Sequence, residues 1–264
     1  MRILAVGDPH GDLERMRKIP KLDIDLILLT GDLGSASLMR NMAFENIERQ
    51  KKGLAERIYS SRERKLAFME AYTSSMRVVK YLSQFAPVFT IYGNVESSNA
   101  ETRKNSREIG LPLPFLTDDL KKLKNVKIIN NKLVNFNGLR IAGLQYFIDT
   151  SWVKEFRPSE YRKAMSDAKK DSDRAKNILR KFGELDILVC HQPPYGFLDK
   201  VTSKFAPKHW FGKHAGSKTI RQYIERMHPD YVFCGHIHEG EGMKRIGGTE
   251  VYNLGVCGYK IINL

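Results

Sequence analysis

Five short apolar runs punctuate the chain, and each ends in a turn carrying polar residues: ILAVGDPHGD (3–12), LILLTGDLG (26–34), VFTIYGNVE (88–96), ILVCHQPP (187–194) and YVFCGHIHE (231–239). Runs of this length with turn signals behind them read as buried strands. Residues 38–84 contain no proline and one glycine, and Leu54, Ile58, Leu66, Met69, Met76, Val79 and Leu82 recur at helical spacing, so a helical insertion is predicted there. It is one long helix or two, with Gly53 the candidate break. The alternating residues of 126–147 and the Asn137-Gly138 pair predict an antiparallel hairpin. A charged, exposed helix is expected over 158–182, opening at Pro158 and Ser159. Another begins near Ser217, a natural N-cap, and 249–255 and 259–264 read as closing strands.

Strands from both ends of the chain enclose a middle section of helices. That order predicts an α/β fold with two packed mixed β-sheets flanked by helices, a four-layer α/β/β/α sandwich. At 264 residues the length admits one large domain or two small ones. A single domain over 1–264 is expected, because any split would separate the polar turns at the two ends of the chain.

Composition narrows the picture modestly. Lysine and arginine exceed aspartate and glutamate by 44 − 30 = 14, which favours anionic partners, although many of the basic residues alternate with glutamates along 45–65 as a solvated helix surface does. Cys190, Cys234 and Cys257 lie in or beside apolar runs, as reduced core thiols do. No signal-peptide pattern and no membrane-length apolar stretch is present, so a cytoplasmic protein with no membrane partner is expected.

The polar tips carry the candidate chemistry. Asp8, His10, Asp32, Asn94, His191, His236 and His238 each stand at the downstream end of an apolar run. Parallel strands line up their carboxyl ends along one sheet edge, where such tips converge. Carboxylate oxygen with imidazole nitrogen suits manganese, iron, cobalt, nickel or zinc better than calcium or magnesium. Seven donors exceed what one tetrahedral or octahedral ion takes, so two divalent ions are expected, manganese first. The competing reading, polar residues that merely end strands, explains any one tip but not the ordered set.

In the order D-x-H, G-D, G-N, H and G-H-x-H, spanning residues 8–238, the chain resembles the calcineurin-like metallophosphoesterases. The resemblance implies that Asp8, His10, Asp32 and His238 hold one metal, and that Asp32, Asn94, His191 and His236 hold the other, with Asp32 as the bridge. It implies hydrolysis of phosphate esters by a hydroxide shared between the ions, with Asp32 and Asn94 in the catalytic set. Asp12 then supports His10 or the attacking water from behind, or else caps the helix that starts near Leu13.

One motif departs from the family pattern. Where the family commonly has Gly-Asn-His, this chain reads Gly93-Asn94-Val95-Glu96. Valine neither contacts phosphate nor donates a proton, and a lost general acid typically costs about 10²–10⁴-fold. Phosphodiesters are therefore favoured over monoesters, and Glu96 is left as a hydrogen-bond acceptor. The basic, aromatic segment after His191 offers a substitute: Tyr195, Lys200, Lys204, His209, Trp210 and Lys213 lead to His214. His214 is the candidate for the missing contact, against the alternative of a surface histidine in a basic loop. Amides at the helix start by Ser217 are candidates for binding an anion, and Phe205, Trp210 and Phe211 for stacking a base. The leading expectation is a metal-dependent phosphodiesterase acting on a small nucleotide-like ester or nucleic acid. A nuclease using the basic 40–84 region and a non-catalytic scaffold that keeps the fold are the alternatives.

Overall fold

Successive side chains of a strand point to opposite faces, and in the computed structural model both faces of the central strands are covered. The structure describes residues 1–156, 161–203, 206 and 208–264. In the first sheet β1 (Arg2–Val6), β2 (Leu26–Leu29), β3 (Val88–Thr90) and β4 (Val126–Ile128) run parallel, and β11 (Tyr259–Asn263) pairs antiparallel to β1 at one edge. The second sheet has the order β5 (Lys132–Phe136), β6 (Leu139–Leu144), β7 (Ile187–Cys190), β8 (Tyr231–Cys234), β10 (Thr249–Asn253) and β9 (Gly242–Ile246). Its four middle strands are parallel and its two edge strands antiparallel.

Ile3, Ala5, Leu26 and Leu28 face inward and meet Ile141, Ile187, Val189 and Phe233 of the other sheet. Their alternates, Leu4, Val6, Ile27 and Leu29, face outward onto α1 (Leu13–Lys18), α3 (Ser61–Leu82) and α5 (Leu116–Lys121). On the far side Leu188, Cys190, Val232 and Cys234 pack beneath α7 (Tyr161–Phe182) and α8 (Lys218–Met227). The result is the four-layer sandwich. All three cysteines are buried and free of disulfides. Among the described residues no helix is long and apolar enough to cross a membrane.

Three local expectations are refined. The helical stretch 38–84 consists of α2 (Ser37–Lys51) and α3, with Gly53 in the left-handed region between them and Ser60 and Glu63 closing a reciprocal cap on α3. The hairpin covers only β5 and β6, turning through Asn137 and Gly138 at φ 48° and 88°; β4 instead pairs with β3, so the chain changes sheets at residues 129–131. The helix α7 is not exposed throughout. Ala168, Ser172, Ala175, Leu179 and Phe182 form a buried stripe that its many charges conceal in the sequence, while Pro158 and Ser159 lie outside the described residues. Among the described residues the remaining α-helices are α4 (Asn99–Ile109) and α6 (Thr150–Phe156).

Candidate metal centre

Both sheets present their parallel carboxyl ends to the same place. Asp8 and His10 follow β1, Asp32 follows β2 and Asn94 follows β3, while His191 follows β7 and His236 and His238 follow β8. The turns are tight enough that His10, Asp32 and His236 take φ of 43°, 44° and 65°, a left-handed backbone uncommon outside glycine and concentrated at functional sites. Close approach also explains two motif glycines. A Cβ at Gly93 would overlap Asp32 Oδ1, and one at Gly235 would overlap the Asp8 carboxylate.

Two groups of donors result, one of Asp8, His10 and His238 and one of Asp8, Asp32 and His191. In the first, His10 Nε2 lies 3.3 Å from His238 Nε2, which lies 3.2 Å from Asp8 Oδ2. In the second, His191 Nε2 lies 3.0 Å from Asn94 Oδ1 and 3.6 Å from Asp32 Oδ1. Asp8 is common to both groups, and Asp32, in the second, turns its other oxygen, Oδ2, toward His10 Nε2 at 3.9 Å. His236 stands beside the second group, with its ring centroid 4.9 Å from that of His191.

Neighbouring groups fix these donors from behind. His191 Nδ1 donates to the Thr30 carbonyl at 2.9 Å, which fixes the ring and turns Nε2, the nitrogen that would ligate a cation once deprotonated, toward Asn94 and Asp32. For the same reason the 3.7 Å approach of His191 Nδ1 to Asp8 is not the ligating face. Thr30 Oγ1 donates to Asp8 Oδ1 at 2.8 Å and the His236 amide to Oδ2 at 2.6 Å. Glu96 accepts from the amides of Asp32, Leu33 and Gly93 at 3.0, 2.7 and 2.9 Å, clamping two of the ligand turns together.

Electrostatics follow from that enclosure. Burial raises the Asp8 carboxyl, but His191, His238 and the His236 amide more than offset it and hold it at about 2. Burial and the nearby His191 push His236 down to about 3, and burial likewise lowers His10. Burial opposes protonation of His191 too, yet Asp32 and Asp8 raise it. Burial and the Asp32 charge push Glu96 up to about 7. Imidazole nitrogens approach Asp32 from both sides, His10 at one oxygen and His191 at the other. That donor set fits divalent cations, whose charge relieves such crowding.

Other expected residues fall elsewhere. Asp12 accepts from the Arg15 amide at 2.9 Å and caps α1. His214 Nδ1 lies 2.6 Å from Asp199 Oδ1, and its side chain makes no hydrogen bond or ring contact with the seven donors. Ser217 requires a correction as a substrate-binding group. It is fully buried, its hydroxyl donates to Asp149 Oδ2 at 2.7 Å, and the same carboxylate oxygen accepts from the Thr219 amide at 3.2 Å. The start of α8 already holds an anion supplied by the protein. Lys204 and Phe205 lie outside the described residues.

Several neighbours of the centre escaped the sequence reading. Tyr146 lies with its ring centroid 5.7 Å from His191 and 5.2 Å from His236, and Trp152 lies 6.4 Å from His236 and 5.7 Å from Trp210. Neither stands in a motif, and both come from the stretch after β6 where no strand tip was expected to matter. Thr30, two residues before Asp32, was readable as a polar residue closing an apolar strand.

A family model described as calcineurin-like phosphoesterase matches residues 1–240. The human protein named metallophosphoesterase domain-containing protein 1 is 36% identical over 74 residues, 28% of this chain and 21% of that protein. An uncharacterized protein, MJ1162, of Methanocaldococcus jannaschii is 28% identical over 175 residues, 65% of each chain. The match thus spans about a fifth of the human relative's length. In three dimensions the fold is similar to phosphopantetheinyl hydrolase from Mycobacterium tuberculosis, with a TM-score of 0.54 at 14% identity over 96% of this chain and 88% of that one.

Proposed function

The chain belongs to the calcineurin-like phosphoesterase family, and on that premise we propose that it hydrolyses phosphodiesters with two divalent cations, manganese first, held by Asp8, His10, Asp32, Asn94, His191, His236 and His238. The observation that carries this reading is the position of Asp32, whose two oxygens face different imidazoles, 3.9 Å from His10 and 3.6 Å from His191. Two cations, when bound, supply an activated water and offset charge gathering on the phosphoryl oxygens.

The protein's own groups govern selectivity. Asn94 is exposed at the tip of its turn, available to a phosphoryl oxygen as well as to His191. Val95 gives its amide to Asp32 Oδ1 at 3.0 Å, while its residue lines a cavity of about 60 Å³ with Phe68, Tyr72 and Leu116. It offers no proton to a leaving group. Esters that depart without strong protonation are favoured, which supports diesters with stabilised leaving groups over alkyl monoesters. His214, oriented by Asp199, is the proposed proton source for poorer leaving groups. The substrate is proposed to be a nucleotide-like ester or nucleic-acid backbone, in keeping with the +14 formal charge.

Metal-stripped protein reconstituted with manganese and offered bis(p-nitrophenyl) phosphate or p-nitrophenyl phosphate tests the reading. Metal-stimulated release at least about tenfold faster from the diester is expected. Release from neither ester supports the scaffold alternative, and a preference for the monoester overturns the diester assignment. Val95→His sharpens the result, since it should raise monoester turnover by up to about 10²-fold. No gain with metal retained means that the side chain stays in the cavity beside Phe68.

A further inference from the structure

A cavity of about 300 Å³ lies beside the candidate metal centre, lined by the stretch that follows β6 and by residues of α4 and α7. Tyr146 belongs to both places. It lines the cavity, and its ring centroid stands 5.7 Å from that of His191 and 5.2 Å from that of His236.

The wall on that side is formed by residues 145–148, and each of its four amides is held by a different part of the chain. Gln145 donates to Asn131 Oδ1 at 3.4 Å, Tyr146 to the Tyr92 carbonyl at 3.0 Å, Phe147 to Gln192 Oε1 at 3.4 Å and Ile148 to the Asp171 carboxylate. Two of these anchors sit on ligand turns, since Tyr92 stands two residues before Asn94 and Gln192 follows His191. The cavity is thereby fixed relative to the candidate donors, and a substituent entering it meets a surface that needs little reordering.

The lining selects the substituent. Tyr146, Phe147 and Ile178 offer aromatic and apolar surface, while Arg174 brings hydrogen-bond donors and Glu101 and Asp171 bring acceptors. A second phosphate group would meet two carboxylates against one guanidinium, and an alkyl group would engage none of the three. A flat, uncharged heterocycle with donors and acceptors on its edge suits both sets, its face against the aromatic rings and its edge toward Arg174 and Asp171. The volume of about 300 Å³ stands at the lower end of ligand-pocket sizes, room for one base and its sugar rather than for a strand.

We propose that this cavity is the base-binding subsite for a nucleotide-like ester, with Arg174 meeting the edge of the base. The inference rests on the phosphoesterase reading above, because it takes the phosphoryl group to lie at the candidate donors. It narrows the substrates to esters that present a single base. Calorimetric titration of the manganese-loaded full chain with AMP, GMP, CMP and UMP, each against ribose 5-phosphate, tests it by affinity rather than turnover. At least one of the four should bind about tenfold or more tighter than ribose 5-phosphate, and Arg174→Ala, at an exposed side chain, should bring that ratio close to one. Arg180→Ala, on the same helix but outside the cavity, should leave the ratio as it is. Four nucleotides that bind no tighter than the sugar phosphate overturn the proposal, as does a ratio that survives Arg174→Ala or falls equally with Arg180→Ala. Failure of the phosphoesterase reading shows separately, as the absence of metal-stimulated release from bis(p-nitrophenyl) phosphate, which carries no base.

Discussion

Two buried acidic sites lie at the same end of this molecule and differ in where their hydrogens come from. In the loop between β7 and α8, Asp199 accepts from the amides of Gly196 and Gly216, both at 2.9 Å, and pairs with His214 at 2.6 Å. Asp149 accepts from the Ser151 amide and hydroxyl, the Ser217 hydroxyl and the Thr219 amide. At the candidate metal centre Asp32 receives one amide, from Val95, and otherwise faces imidazoles. Asp199 and Asp149 have their oxygens met by amides and hydroxyls, whereas both oxygens of Asp32 face imidazoles, an arrangement that suits a cation. The contrast teaches that acidity alone does not mark a metal site, and that a carboxylate turned toward imidazole nitrogens on both oxygens does so better.

The largest effect is expected at Asp32, the carboxylate that faces an imidazole from each oxygen. Asp32→Asn should reduce metal-stimulated diester hydrolysis by about 10³-fold or more and lower the bound-metal stoichiometry measured by plasma mass spectrometry. In metal-free protein the same change should hold or raise the melting temperature, because it removes one charge from a crowded pocket. A lower melting temperature without metal would place Asp32 with the structural carboxylates and erase the distinction.

His214 sits on the other side of the comparison. Asp199 holds its Nδ1, so Nε2 is the nitrogen left to meet a substrate, and 30% of the side chain is exposed. Replacement by glutamine should slow diesters with alkyl leaving groups by about 10²-fold while sparing p-nitrophenyl esters, whose leaving group needs no proton. Equal losses for both, or no loss for either, would leave the pair as a structural brace of its loop.

How much of this was legible in the sequence divides along the same line. The seven candidate donors could be read because each follows an apolar strand, and strand direction alone brings Asp8, Asp32, Asn94, His191 and His236 to one edge. The two-sheet architecture followed from the order of strands and helices. Ser217 misled because a helix start reads as an anion site, and nothing in its surroundings reveals that Asp149, 68 residues earlier, occupies it. The break of sheet at residues 129–131 was hidden for a similar reason, since alternating residues look alike whichever sheet they enter. Tyr146 and Trp152 reach His236 through tertiary packing, which no spacing encodes.

Asp149 gives the smallest and most discriminating test. Burial raises its carboxyl, but the Ser151 amide, the Ser217 hydroxyl and the Thr219 amide reverse that and leave its pKa below the ordinary carboxylate value. A depressed folded value means that the carboxylate stabilises the fold at pH above its unfolded value of about 4, and that the contribution is lost as pH falls through the lower folded value. Asp149→Asn should cost about 1–3 kcal/mol near neutrality in chemical denaturation and should flatten the loss of stability below about pH 4. Because the carboxylate serves the α8 start rather than the cations, the penalty should be the same with and without metal. A penalty that appears only in metal-loaded protein would tie the α8 start to the centre and join the two sites that the hydrogen-bond pattern separates.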